Sequence, residues 1–164
     1  MSSKKLSHYD QESIPNAEGL RFAIVVSEWN ENITENLYKG AHKVLLENSV
    51  LPEDILRMNV PGSFELIFGA SLIADTTDVD AIITLGSVVK GETKHFDFIC
   101  QGISNGISQL NISLDIPVIF GLLTDNNMQQ AIDRSGGKLG NKGCECAIAA
   151  IKMASMNQIL KAEE

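Results

Sequence analysis

The chain alternates between short continuous apolar runs and longer stretches in which apolar residues follow helical spacing. The runs have strand length and lie at residues 21–27, 55–60, 81–89 and 117–123. Continuous apolar runs are typical of parallel strands that are covered on both faces. We therefore expect βαβ units with right-handed crossovers around a four-stranded parallel sheet.

The stretches between and after these runs predict the helices. Their apolar residues recur every three or four positions, the spacing of one helix face, at residues 33–48, 66–74, 96–114, 129–134 and 147–154. The Gly-rich segment at residues 136–143 is expected to form a turn before the last helix. Helices on both faces of the sheet make a three-layer α/β/α sandwich of flavodoxin-like type.

The first residues differ from the rest of the chain. Residues 1–19 are polar and include Pro15, which predicts an extended or mobile N-terminal arm. They lack the apolar core of a signal peptide, and no run in the chain approaches the ~18 apolar residues that span a bilayer. Residues 20–164 are expected to form a single domain in the cytoplasm, without a membrane contact.

Charge and cysteine content exclude several classes of function. The net charge of −8 argues against nucleic-acid binding, although a few local cations could still hold a small anionic substrate. Three cysteines make no disulfide framework, and Cys144 and Cys146 have no second Cys/His pair that would complete a zinc site. We expect the cysteines to be small buried apolar residues, and we expect neither a metal nor a cofactor.

The four strand-to-helix junctions are the expected walls of a ligand site. In an open parallel sheet, ligands bind beyond the carboxyl ends of the strands. Those junctions lie at residues 27–30, 61–65, 86–95 and 120–126, and they hold the single Trp and one of the three His residues. A purely structural scaffold has no evident need for such residues there.

Two residues in the first junctions allow alternative interpretations. Trp29 could expose a flat ring that stacks on a heteroaromatic ligand, or it could plug the core at the edge of the sheet. Glu65 could accept hydrogen bonds from ligand hydroxyls, or it could be an ordinary acidic residue in the first turn of a helix.

The third junction carries the richest chemistry. Main-chain amides at Glu92 and Thr93, the Thr93 hydroxyl and the positive end of the next helix dipole together predict an anion site. The Glu92 carboxylate would have to point away from that anion. His95 follows directly, and histidine side chains exchange protons near neutral pH.

Two cations flank the Gly-rich segment. Arg134 can bind a phosphate in bidentate fashion, and Lys142 can act as a point charge. The segment does not have the spacing of a Walker A loop. Without further context, both residues would be solvated helix ends.

Five segments in this order resemble those of lumazine synthases. They are Trp29-Asn30, 61–65 (PGSFE), 91–97 (GETKHFD), 117–124 (PVIFGLLT) and 130–143 (QAIDRSGGKLGNKG). The resemblance extends from about residue 21 to the final helix. It implies condensation of 5-amino-6-(D-ribitylamino)uracil with 3,4-dihydroxy-2-butanone 4-phosphate. The products are 6,7-dimethyl-8-ribityllumazine, phosphate and water, in the penultimate step of riboflavin biosynthesis.

The resemblance also implies roles for individual residues. The pyrimidine ring and its ribityl chain would be bound by Trp29, Ser63, Phe64, Glu65, Ser87, Val88, Val89, Phe120 and Lys142. The phosphate would be bound by the Glu92 backbone, Thr93 and Arg134, and His95 would transfer protons. The stacking position is often Phe in this family, so Trp29 departs from the pattern and preserves the role.

The same resemblance implies assembly. Sites of this family lie between neighbours in a pentameric ring, so Phe120, Arg134 and Lys142 would reach into the adjacent subunit's pocket. The turn Gly137-Lys138-Leu139-Gly140 resembles that of members that build icosahedral shells. Besides its small-molecule substrates, riboflavin synthase is a further candidate partner.

Three rival functions stay open at this point. A flavodoxin-type flavin- or nucleotide-binding module would need a Gly/Ser/Thr-rich phosphate loop after the first strand, where the chain has Glu28-Trp29-Asn30-Glu31. A non-catalytic shell protein would need none of the polar site residues. An enzyme of this fold that dismutates lumazine to riboflavin would form riboflavin from lumazine alone.

Overall fold

The computed structural model describes residues 10–163, and its elements alternate between strands and helices. Strands occupy β1 (Phe22–Ser27), β2 (Ile55–Val60), β3 (Ala81–Val89), β4 (Val118–Asp125), β5 (Ser135–Gly137) and β6 (Gly140–Asn141). Helices occupy α1 (Glu31–Glu47), α2 (Leu66–Thr76), α3 (His95–Ser113), α4 (Met128–Arg134) and α5 (Lys142–Lys161). Short 3₁₀ helices lie at Gln11–Ser13 and Pro52–Asp54.

The main sheet is parallel, as predicted, with the strand order β2-β1-β3-β4. Phe22 of β1 lies opposite Ile55 of β2 and Ala81 of β3, and Ile82 lies opposite Val118 of β4. All four carboxyl ends therefore meet at one end of the sheet. The strand order leaves β2 and β4 as its edges.

Two hydrophobic cores explain why the central strands are apolar throughout. On one face, Phe22, Ile24 and Val26 of β1 pack with residues of α1 and α5. On the other face, Ala23 and Val25 pack with residues of α2 and α3. Because successive side chains of a strand point to opposite faces, burial of both faces requires a continuous apolar run. The predicted three-layer sandwich is confirmed.

The predicted turn at residues 136–143 is part of a hairpin, with its turn at residues 138 and 139. Strands β5 and β6 form a small antiparallel hairpin there, and α5 already begins at Lys142. Gly136 and Gly140 have φ values of 116° and 96°, a region that L side chains rarely adopt. The glycines that suggested a turn therefore allow this tight hairpin.

The described part of the N-terminal arm packs against the domain. Ile14 and Ala17 are buried in the core on the α1 and α5 face, and the Ala17 amide donates to the Asn48 carbonyl. These contacts were not expected for an arm, whereas its extended or mobile character stays a prediction. Residues 1–9 lie outside the described part, and the proposed boundary between residues 19 and 20 stays a prediction.

The cysteines are all free, and only one of them matches the expectation of burial. Cys146 is buried, whereas Cys100 and Cys144 are partly exposed. Burial raises the pKa of the Cys146 thiol to about 12, so this thiol stays protonated at neutral pH. In residues 10–163, no three His, Cys, Asp or Glu side chains come together as metal ligands. No helix of that part has the length and apolarity to cross a membrane.

Candidate active site

A cleft of about 430 Å³ opens where β1 and β3 end and where α2 and α3 begin. Its lining residues are Trp29, Asn30, Ser63, Phe64, Glu65, Ser87, Val88, Val89, His95 and Ile99. Eight of these ten were singled out from the sequence as site residues. Asn30 and Ile99 were not. The cleft occupies the place where ligands bind in parallel α/β sheets.

Trp29 presents its ring to this cleft. It follows the last residue of β1 closely, and 70% of its surface is exposed, so the alternative of a core plug was wrong. A side chain at position 62 would lie 2.9 Å from Glu65 Oε2 and 3.2 Å from Trp29 Cε3. Gly62 therefore allows the indole and the Glu65 carboxylate to approach the same turn.

Asn30 joins the first and third junctions. It has a left-handed backbone conformation with φ of 58°, directly before α1. Its side-chain amide donates to the Ser87 carbonyl at the end of β3, at a distance of 2.9 Å. Asn tolerates this conformation better than most residues. The Asn after a strand was the available signal for this residue, whereas Ile99 appeared only as one apolar position of a helix.

The second junction supplies the polar wall beside Trp29. Glu65 lies directly before α2, and its Oε2 accepts from the Gly62 main-chain N–H at 3.0 Å. Ser63 is buried and Phe64 is half exposed. Glu65 thus orders the turn through one carboxylate oxygen, which leaves acceptor capacity on the side chain for a hydroxyl.

The third junction lies at the mouth of the cleft. Glu92 and Thr93 are exposed, and His95 is the first residue of α3. The Thr93 hydroxyl accepts from the His95 main-chain N–H at 3.4 Å. The amides of Glu92 and Thr93 donate to no other residue within the described range. Free amides before a helix of 19 residues form a suitable environment for an anion.

Phe120 lies outside this cleft. It belongs to the edge strand β4 and faces a separate groove beside α3, lined also by Ser104, Ile107 and Asn111. Its side chain is 37% exposed. The chain therefore presents this aromatic ring at its own surface.

Arg134 and Lys142 also lie outside the cleft. Together with Asp125 and Glu145 they form the charge cluster, where β4 and α4 end and α5 begins. Glu145 Oε2 is 3.1 Å from Lys142 Nζ and 3.9 Å from Arg134 Nη2. The two cations are only 27% and 29% exposed, so the interpretation as solvated helix ends was wrong.

Asp125 is the most buried acid of the charge cluster, with 9% of its surface exposed. Burial raises the pKa of its carboxyl group, and the nearby charge of Arg134 lowers that pKa by a smaller amount. Sequence analysis did not single out Asp125 or Glu145. Asp125 ends β4 and Glu145 lies in the first turn of α5, both ordinary places for an acidic residue.

Fold and cleft together define an α/β protein with a ligand-binding cleft at the carboxyl ends of its parallel strands. An exposed indole faces main-chain groups at the end of a parallel strand, and an imidazole lies beside free amides at a helix start. These groups suit binding of a flat heterocycle next to an anion, with a proton-transfer group between them.

Comparison with known sequences identifies the family within this class. The sequence model of a family described as 6,7-dimethyl-8-ribityllumazine synthase matches residues 19–158. A protein of that name from Flavobacterium johnsoniae is 61% identical over 156 residues, which cover 95% of this chain and 82% of the relative. Another from Christiangramia forsetii is 57% identical over 157 residues, which cover 95% of this chain and 94% of the relative. The chain belongs to the 6,7-dimethyl-8-ribityllumazine synthase family.

Proposed function

We propose that this chain is a transferase that condenses 5-amino-6-(D-ribitylamino)uracil with 3,4-dihydroxy-2-butanone 4-phosphate. The products are 6,7-dimethyl-8-ribityllumazine, phosphate and water. The observation that carries the proposal is the cleft, in which an exposed indole and an imidazole face one space of about 430 Å³. Membership of the family points to the same reaction.

The pyrimidine ring stacks on Trp29 in this proposal. Its polar edge faces main-chain groups of Ser87, Val88 and Val89, which end β3 at the floor of the cleft. The ribityl chain extends towards Ser63, Phe64 and Glu65. Support comes from the exposure of the indole and from the position of Glu65 directly before α2.

The phosphate binds at the third junction. Glu92 contributes its main-chain amide, with its carboxylate turned outward, and Thr93 contributes its amide and hydroxyl. The amides at this turn donate to no other described residue, and they lie at the positive end of the α3 dipole. An anion bound here would lie next to His95.

His95 transfers protons during the reaction. The 5-amino group of the pyrimidine attacks the ketone and loses water to form a Schiff base. Phosphate then leaves by elimination to give an enol, which tautomerises to a ketone. The ribitylamino nitrogen attacks this ketone and a second water leaves as the second ring closes. Each step moves a proton to or from nitrogen, oxygen or carbon, and an exposed imidazole at the mouth of the cleft can serve them.

Phe120, Arg134 and Lys142 complete the site of an adjacent subunit. In a single chain these residues lie outside the cleft, and Phe120 is exposed on an edge strand. Large exposed apolar side chains of α2 and α3, Phe68 and Phe98 among them, offer a surface for such a neighbour. Arg134 would supply the second half of the phosphate site.

The assembly that we propose is a pentamer, and the turn Gly137-Lys138-Leu139-Gly140 favours an icosahedral shell of pentamers. Riboflavin synthase, which uses the product, is the partner that we propose beyond this chain, and the cytoplasm is the compartment. Sedimentation velocity of the purified protein measures the assembly. A monomer would contradict the shared site.

The activity is tested by absorbance and fluorescence with both substrates, corrected for their spontaneous reaction. We expect lumazine to form well above that background, and no riboflavin to form from lumazine alone. Folded protein that accelerates nothing with authentic substrates would overturn the proposed reaction.

The shared site is tested with hybrid assemblies of two impaired variants, His95→Ala and Arg134→Ala, assayed at a low concentration of the phosphorylated substrate. If sites lie between subunits, some interfaces in a mixed assembly combine a native His95 with a native Arg134. We therefore expect co-assembled variants to regain part of the activity that each assembly lacks. If each site belonged to one chain, every site would keep one defect and the mixture would stay as slow as its components.

A further inference from the structure

The chain parts from β3 where β1 ends. The register between β1 and β3 stops at the pair Val26–Leu85. Beyond that pair, the Trp29 main-chain N–H donates to the Pro61 carbonyl after β2, at 3.2 Å. β3 continues to Val89, and its register there is with β4 alone. The cleft opens at this divergence, between Trp29 and the end of β3.

A side-chain hydrogen bond crosses the divergence. Asn30 Nδ2–H donates to the Ser87 carbonyl at a distance of 2.9 Å. Both residues line the cleft. Because hydrogen bonds are short and directional, this contact sets the spacing between the end of β3 and the chain segment that carries Trp29.

Asn30 makes this bond instead of the one that is usual at its position. It directly precedes α1, where an Asn side chain commonly accepts from an amide of the first turn, but it caps nothing. Asn127 and Asn141 directly precede α4 and α5, have an extended backbone and accept from main-chain amides of their helices. Asn30 has the left-handed conformation instead, and its side chain reaches Ser87. Its amide therefore serves the cleft rather than the helix.

We propose that Asn30 is a positioning residue, whose side-chain amide holds the end of β3 at the distance from Trp29 that a flat heterocycle requires. This inference rests on the proposed pyrimidine site. A ring that stacks on the indole must at the same time reach main-chain groups at the end of β3. Without the Asn30 amide, each of these contacts can still form alone, but the two form together less often.

A role of the backbone alone makes a different prediction. Asn and Gly adopt the left-handed conformation at lower cost than other residues, so Asn30→Gly would then be neutral. Ser49 offers a matched comparison, because it has φ of 74° just beyond the other end of α1 and is exposed. The same substitution at the two ends of one helix therefore separates the side chain from the backbone.

The test uses Asn30→Gly and Asn30→Asp in the full chain, with Ser49→Gly as the control. Asn30→Gly keeps the left-handed backbone and removes the amide. Asn30→Asp keeps the size of the side chain and replaces the donor with an acceptor that faces a carbonyl. The measurements are kcat, KM for each substrate, and a fluorescence titration with the pyrimidine substrate alone. Trp29 is the single Trp of the chain, so its emission reports on the proposed stack directly.

We expect Asn30→Gly to raise both KM and the dissociation constant for the pyrimidine about 5-fold, as for loss of one neutral hydrogen bond. Asn30→Asp should raise them about 10-fold, because two acceptors then face each other. KM for the phosphorylated substrate should stay unchanged, and Ser49→Gly should change neither KM. In a Trp29→Ala background, Asn30→Gly should add less than about 2-fold, because the ring whose spacing it sets is gone.

The possible failures can be told apart. Native affinity of Asn30→Gly for the pyrimidine would overturn the positioning role and leave the stacking role of Trp29 intact. An effect of Asn30→Gly that persists in full in the Trp29→Ala background would do the same. Trp29→Ala without any change in KM for the pyrimidine would instead overturn the proposed pyrimidine site, and the positioning role with it.

Discussion

The cleft and the charge cluster both lie where strands of the main sheet end, but they are built in contrasting ways. The cleft is open, and its groups include the exposed Trp29 ring and main-chain edges at the end of β3. The charge cluster is largely buried, and its acids and bases face one another. One region is open to a ligand, whereas the cations of the other already share a carboxylate partner within the chain.

In the assembly that we propose, this contrast would divide one reaction between two surfaces. Stacking and main-chain hydrogen bonds need only local geometry, which a single strand end provides. Cations that bind a phosphate must be held in place without being fully neutralised. Glu145 is shared between Lys142 and Arg134, so each cation keeps part of its capacity for an external anion. In the proposed pentamer, this surface would face another subunit's cleft.

Removing the imidazole from the cleft is expected to have the largest effect. His95→Ala should lower kcat about 100-fold, as for loss of a general acid or base. His42→Ala is the control, because His42 lies on α1 with its ring 5.5 Å from that of Tyr38, outside the cleft. Steady-state kinetics with both substrates measures the effect, and an unchanged kcat for His95→Ala would remove the residue from the mechanism.

Removing a cation from the charge cluster should weaken binding of one substrate. Arg134→Ala should raise KM for the phosphorylated substrate about 30-fold, or ~2 kcal/mol, which is typical of a hydrogen bond to a charged group. Arg134→Lys should have an intermediate effect, because it keeps the charge and loses the planar fork. A change confined to KM for the pyrimidine would contradict the division between the two regions.

Changing the stacking ring should affect the other substrate. Trp29→Ala should raise KM for the pyrimidine about 5-fold, or ~1 kcal/mol, because it removes an aromatic stack. Trp29→Phe keeps a flat ring and should change KM by less than about 2-fold. KM for the phosphorylated substrate serves as the internal control, and an equal rise in both KM values would indicate general damage to the cleft.

The smallest expected effect is on stability, and it has opposite signs at Asp125 and Asp133. Burial raises the pKa of Asp125 in the folded chain. Its stability cost is absent below the unfolded pKa, grows as pH rises towards the folded pKa, and is complete above it. Asp125→Asn should therefore raise the midpoint of thermal unfolding at pH 8, with no gain at pH 3.

Asp133 provides the matched comparison. Its hydrogen bonds with Lys138 and Gln129 lower the pKa of its carboxyl group. That stability is present above the unfolded pKa and is lost as pH falls through the folded pKa. Asp133→Asn should therefore lower the midpoint at pH 8 and become neutral at low pH. Shifts of the same sign in both variants would contradict the different environments of the two carboxylates.

Most of the fold was predictable because its signals are local. The apolar run at Ala81–Val89 was predicted with the bounds that the structure has, since a strand buried on both faces leaves little room for polar residues. The hairpin of β5 and β6 was missed, because two strands of three and two residues carry no periodicity. Burial of Ile14 and Ala17 was missed because it depends on helices far away in sequence.

The site was predictable to the extent that it follows from strand order. Once four strands are parallel, their carboxyl ends meet, so Trp29, Ser63 and His95 can be expected in one cleft from their positions alone. The position of Phe120 in a separate groove, outside the cleft, could not be predicted in this way. It depends on which strand forms the edge of the sheet.

Burial and pairing of charged groups depended on the folded chain. Asp125 and Arg134 lie on different elements, and their charges interact only because α4 packs at the end of β4. Electrostatic attraction and desolvation depend on distance and on exposure to water. Neither distance nor exposure can be read from the local sequence. Local patterns therefore predicted the layers, the strands and the junctions. Tertiary packing determined which charged groups meet in the charge cluster and how the pKa of Asp125 is shifted.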